Sequence, residues 1–251
     1  MKFILLFIFF ATNLLIFCVA DPESTMLAES NQAATDFNEY CPFDSTDGKR
    51  WQSNMHSASL YKGMDAALES DWSSYQWING KDKVKGIECQ KLFISHKQFM
   101  DESDYTQNCA KKIGSEFRVY RLVSFYSSNG VNVTTNFNPY LITNYCGSKM
   151  GEARTFNYET ITENSQQKTN TTTVNTPLGF EDVKTRFGNY RQCLKYQEVK
   201  TDNIVLPDGS KTKLIYTTTF WNAKGIGTVK MKMSGAQGTT VTEIQEVVGE
   251  Q

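Results

Sequence analysis

Five cysteines follow position 20: Cys41, Cys89, Cys109, Cys146 and Cys193. Thiols can cross-link, ligate a metal or act as nucleophiles. Metal ligation needs donors at short spacings, and no Cys-x-x-Cys or His-x-x-x-His occurs. The two histidines, His56 and His96, stand in unrelated contexts. Asp101, Glu102 and Asp104 read as a solvated acidic loop rather than a cation site. There is no Gly-x-Ser-x-Gly elbow. Gly225-Ile226-Gly227 is followed by a strand pattern, not by the helix a dinucleotide fingerprint needs. No spacing nominates a carboxylate pair for acid–base work. These residues predict cross-linking rather than catalysis, with no enzyme activity, no cofactor and no metal.

The cysteines carry a repeat. Cys41 and Cys89 are 48 positions apart, and Cys146 and Cys193 are 47. Glu39-Tyr40-Cys41 precedes Arg50-Trp51, as Asn144-Tyr145-Cys146 precedes Arg154-Thr155-Phe156. Cys89-Gln90-Lys91-Leu92 parallels Cys193-Leu194-Lys195-Tyr196. Phe125-Tyr126-Ser127-Ser128-Asn129-Gly130 parallels Phe220-Trp221-Asn222-Ala223-Lys224-Gly225. A period near a hundred residues suits a duplicated half, not a solenoid of small units. The repeat selects the bridges Cys41–Cys89 and Cys146–Cys193 and leaves Cys109 as a free thiol.

The elements that position these residues read as strands. Thr, Tyr, Phe, Asn and Gly abound and Pro is scarce, as in strands joined by polar turns. The clearest hairpin runs from Tyr216 to Met233. Val229, Met231 and Met233 alternate with Lys230 and Lys232, and Gly225 and Gly227 bracket the reversal. Tyr216, Phe220, Trp221, Met231 and Met233 are its large apolar side chains. They either pack a core or wall a concave apolar pocket, where methionine and aromatics accept varied ligands. Strands are also predicted over 84–96, 116–126, 153–161, 179–183, 190–200 and 213–221, with a last one from 239. Residues 64–70 suit a short helix, and Asn79-Gly80 a turn. Residues 163–176, rich in Thr, Asn and Gln without apolar periodicity, read as an exposed loop or hairpin.

Residues 1–20 pair Lys2 with a long apolar run and small residues before Asp21, the pattern of a cleaved secretory signal. Residues 21–37 form a flexible acidic leader, 38–140 a first β unit and 141–251 a second with a terminal strand. An oxidising, extracellular setting follows, periplasmic or cell-surface in a bacterium. No second apolar run is long enough to span a membrane, so no stable span is expected after cleavage. The net charge of −1 gives no bias toward nucleic acid. Asn132 and Asn170 head glycosylation sequons that count only in a eukaryotic host.

Gly179-Phe180-Glu181-Asp182-Val183, Gly188-Asn189-Tyr190-Arg191-Gln192-Cys193-Leu194-Lys195 and Phe220-Trp221-Asn222-Ala223-Lys224-Gly225-Ile226-Gly227-Thr228-Val229-Lys230 form one signature. It resembles that of a group of secreted bacterial domains of unknown function, similar to the LolA/LolB-like lipoprotein-localisation proteins. Tyr190 replaces its Phe, Ile226 its Val and Lys224 its frequent Pro. The resemblance covers the second unit and reaches the first through the repeat. It implies a curved antiparallel sheet wrapped around an apolar cavity. The expected fold is therefore mainly β, two tandem curved antiparallel-sheet, open-barrel-like units with minor helix. The expected function is a non-enzymatic carrier of a lipophilic small molecule. The alternative is a secreted surface or interaction protein with a solid core, its protein partner unspecified. The two differ over whether a cavity exists.

Overall fold

The computed structural model describes residues 37–40, 50–96, 105–113, 116–126, 131–143, 149–163, 165 and 167–247. Twelve strands follow one another: β1 (Arg50–Tyr61), β2 (Leu68–Val84), β3 (Ile87–His96), β4 (Tyr105–Ile113), β5 (Glu116–Tyr126) and β6 (Val131–Thr143). Then come β7 (Arg154–Thr162), β8 (Gln167–Thr185), β9 (Gly188–Val205), β10 (Lys211–Ala223), β11 (Gly227–Gly235) and β12 (Gly238–Val247). Each pairs with its chain neighbours, and β12 pairs with β1, closing a single antiparallel barrel. The mainly β, antiparallel reading holds. The strands close one barrel instead of two open ones, and the expected unit boundary at 140 falls inside β6. Closure pairs the outer edges of β1 and β12 with each other, which two separate open sheets would leave exposed.

Twelve strands enclose more room than eight, whose interior side chains just fill. Two apolar clusters occupy it. One joins β2 to β7 through Ile78, Leu92, Ile94, Phe117, Val119 and Leu122, with Phe137 and Tyr158. The other joins β1 and β9–β12 through Met55, Leu194, Tyr196, Phe220, Met231 and Ile244. Phe37 and Tyr40, from a single 3-10 turn (Phe37–Tyr40), belong to the second cluster. That turn sits at the β10–β11 hairpin: Gly225 N–H donates to Glu39 O, and Asn222 Nδ2 to Tyr40 O. Past Met55 and Ile244 on β1 and β12 the inward positions are polar. Ser57 Oγ meets Thr242 Oγ1 and Ser59 Oγ meets Thr240 Oγ1, each at 3.0 Å, and Trp72 Nε1 donates to Ser57 Oγ.

Bulges explain where the period-two reading slips. Residues 116–126 form β5, but a bulge between Val119 and Arg121 changes its phase. Phe117, Val119 and Leu122 therefore share the inner cluster, while Tyr120 packs in a separate group with Val84, Cys89 and Cys109. Asn79-Gly80 is a bulge inside β2 rather than a turn, and Gly80 takes φ 72° there. Residues 64–70 form a turn and the start of β2 instead of a helix. Trp72, Ser74, Gln76 and Ile78 follow on alternate positions of that strand.

The cysteine pairing departs from expectation. Cys89 on β3 bonds Cys109 on the adjacent β4, their Cα atoms 5.4 Å apart. This replaces the Cys41–Cys89 bridge, and Cys109 is not a free thiol. Direct strand pairing, with Lys91 opposite Cys109, holds the two sulfurs within reach. Cys193 is a free, buried thiol, so the Cys146–Cys193 bridge is not made. Cys41 and Cys146 lie outside the described residues, as do residues 1–36 and the acidic run 101–104. Burial, then Asp182 and Glu181, push the Cys193 thiol up to about 11, so it packs as an inert side chain. Replacing Cys89 and Cys109 together by serine should cost about 3 kcal/mol for a loop of 20 residues. A urea midpoint that does not move would show that the bridge does not form.

Candidate functional site

One strand face concentrates the buried charge. On β9, Leu194, Tyr196, Glu198, Lys200, Asp202 and Ile204 occupy alternate positions, and period two puts them on one side. Leu194, Tyr196 and Ile204 are core residues, so Glu198, Lys200 and Asp202 also face inward. Neighbouring β8 sends in Thr169, Thr171, Thr173 and Asn175, all buried. The sequence pattern suggests an exposed loop or hairpin here; the strand pairing of a hairpin is present, but these four residues are buried. β-branched threonine suits a strand, and a polar barrel interior needs no apolar alternation.

Asp202 is fully buried and accepts a hydrogen bond from Thr171 Oγ1 at 2.6 Å. Lys200 Nζ lies 3.5 Å from Asp202 Oδ2. Burial alone would lower the Lys200 pKa, but Tyr158, Asp202 and Glu198 around it raise it above the ordinary lysine value. Burial raises Tyr158 also, helped by Asp202 and Glu198 and opposed by Lys200. Glu198 is pushed up to about 7, first by burial, with Lys200 opposing and Asp202 adding. Asn175 Oδ1 is buried and accepts no hydrogen bond.

A cavity of about 30 Å³ opens onto this face. Glu198, Lys200, Asn175, Thr173 and Tyr158 give it a polar side; Tyr196, Phe220, Phe156 and Leu141 give it an apolar one. Tyr196 and Phe220 stack at 4.7 Å, 11° from parallel. Leu141, Ile142 and Thr143, three consecutive residues of β6, all line it. Consecutive strand residues point to opposite faces, so the cavity reaches β6 at its edge.

That edge is where the ladder lapses. β6 and β7 pair over four positions, Thr135–Asn138 against Glu159–Thr162. Residues 139–143 and 154–158 are not paired with each other, which leaves an interval between the strands. Side chains span it. Glu116 of β5 accepts from Arg154 Nη2 at 2.5 Å and from Arg118 Nη2 at 2.6 Å. Arg154 lies over the Phe156 ring and Arg118 over Tyr140.

Of the five residues named from the sequence, Phe220 lines the cavity and Met231 packs beside it in the core. Tyr216 and Met233 are half-buried on the same faces of β10 and β11. Trp221 points out: its Nε1 donates to Glu181, and Lys195 Nζ sits 5.5 Å from its ring. Adjacent residues of a strand cannot share a wall, so Phe220 inside places Trp221 outside. Asn170 is exposed on β8 and Asn132 exposed on β6. No cluster of metal-ligating side chains occurs among the described residues. Among them also, no helix is long and apolar enough to cross a membrane.

No protein-family model matches the chain, and no curated protein matches it. Among solved structures it is similar to a candidate lipoprotein from Parabacteroides distasonis at 10% identity, covering 82% of this chain and 97% of that one, with a TM-score of 0.45. It is also similar to a candidate exported protein with a YmcC-like fold from Bacteroides fragilis at 11% identity, covering 80% and 96%, with a TM-score of 0.38.

Proposed function

We propose that the protein is a secreted, non-enzymatic binding protein that takes a lipophilic ligand into the barrel between β6 and β7. The observation that carries this reading is the coincidence of the unpaired strand interval with the cavity. Parting β6 from β7 over 139–143 and 154–158 breaks no ladder pairing between them, and what it disturbs is side-chain contact, that of Arg154 with Glu116 and of Tyr158 with Phe137 among it. The cavity of about 30 Å³ holds about two water molecules, so an apolar chain binds only as the interval widens. The Cys89–Cys109 bridge supports an oxidising compartment, in keeping with the N-terminal signal pattern. The resemblance to lipoprotein-localisation proteins supports an apolar cargo.

The small cavity favours the second reading, a solid barrel that serves as an interaction protein. Titration with 1-hexanol, followed by backbone amide shifts, separates the two. The binding reading expects saturable shifts around Ile142, Phe156 and Phe220. It also expects at least a tenfold loss of affinity in Ile142→Trp, with β content unchanged. Shifts scattered over the surface, or none, would favour the solid barrel.

A further inference from the structure

The polar side of the cavity has acceptors without donors. Asn175 is 3% exposed and lines the site, and among the described residues nothing donates to its buried Oδ1. No hydrogen bond or ion pair reaches the Glu198 carboxylate among the described residues, although Lys200 and Asp202 act on it through space. Lys200 Nζ lies 3.5 Å from Asp202 Oδ2, itself a buried acceptor without a hydrogen bond among the described residues, and donates to Tyr158. The charged groups lining the site are Glu198 and Lys200, and Asp202 lies beside Lys200 on the same inward face of β9. One cation against two carboxylates leaves a net negative charge inside the barrel when Glu198 is ionised. Tyr158 and Tyr216, the nearby phenols, stay neutral, their pKa values raised by burial. A buried acceptor without a donor is costly, and an unbalanced buried charge more so. A group that brings both N–H donors and positive charge answers both deficits.

We propose that the ligand carries a primary amine, bound as ammonium, that donates to Asn175 Oδ1 and the Glu198 carboxylate while its hydrocarbon part leaves between β6 and β7. This rests on the reading of the cavity as a ligand site and adds the chemistry of the head group. A hydroxyl would satisfy the acceptors without balancing the charge. A carboxylate would add to the excess. The aromatic faces of Tyr158, Tyr196 and Phe220 suit a cation above a hydroxyl. The cavity as it stands fits a head of water-like size.

The test compares 1-hexylamine, 1-hexanol and hexanoate by the same amide-shift titration at pH 8. The proposal expects hexylamine to bind at least tenfold more tightly than the other two. Glu198→Gln should erase that preference, so that hexylamine binds no more tightly than hexanol. In the wild type the preference should grow from pH 5 to pH 8 as Glu198 ionises. Equal affinity for all three, or a preference that survives Glu198→Gln, would overturn the amine assignment and leave the apolar site standing. Failure of all three to bind would overturn the ligand site itself, and the amine assignment with it.

Discussion

Asp202→Ala is expected to destabilise the protein by about 3–5 kcal/mol, the cost of breaking a buried ion pair from one side. Asp202 is fully buried, receives Thr171 Oγ1 at 2.6 Å and lies 3.5 Å from the Lys200 ammonium. Alanine leaves the threonine hydroxyl without its acceptor and removes the carboxylate nearest the lysine. For a chain of this size the loss lowers Tm by about 10 °C. Adding Lys200→Met should recover most of it, because the uncompensated cation goes as well. Asp202→Ala within about 1 kcal/mol of wild type would show that the pair does not hold the barrel interior together.

Two positions back on the same face, the sign reverses. Glu198→Gln is expected to stabilise the protein above neutral pH by on the order of 3 kcal/mol. The Glu198 carboxyl is raised from 4.5 to about 7, so the fold prefers it protonated. Its contribution is complete below about pH 4.5, the unfolded value. It is lost progressively as the pH rises to about 7 and stays lost above that. Glutamine has no proton to lose, so the variant's advantage should be near zero at pH 4 and full at pH 8. Urea midpoints at the two values check this. An advantage equal at both, or a penalty at pH 8, would mean that Glu198 is not held in a protonated-preferring site.

The contrast between these two carboxylates shows what a sequence reveals and what it hides. The strand over 190–200 was legible from its alternation, and so was the 220–230 hairpin with its glycines. That Glu198, Lys200 and Asp202 point inward follows from the same alternation, since Leu194 and Tyr196 share their parity. The signal is in the alternation, but charge at a core position runs against the usual apolar pattern and so hides the face. The stretch 163–176 was opaque for a different reason. Thr171, Thr173 and Asn175 are buried opposite Asp202, Lys200 and Glu198 of β9, and Thr169 opposite Ile204, which only strand pairing reveals. Trp221 was misplaced by grouping residues on type instead of period. The cysteine pairing failed because spacing reports chain distance, whereas Cys109 sits beside Cys89 through the β3–β4 pairing. Closure into one barrel depends on β12 meeting β1, a contact between the first and last strands that no local pattern encodes.

Amide hydrogen exchange reads the interval between β6 and β7 directly. Without ligand, the amides of 139–143 and 154–158 that face the interval, and not those bonded to β5 and β8, should exchange faster than the ladder amides of β9 and β10. With 1-hexylamine at saturation, both segments should slow together with Asn175 and Glu198. Exchange there as slow as in β9, or unchanged by hexylamine, would contradict a ligand site reached between these strands.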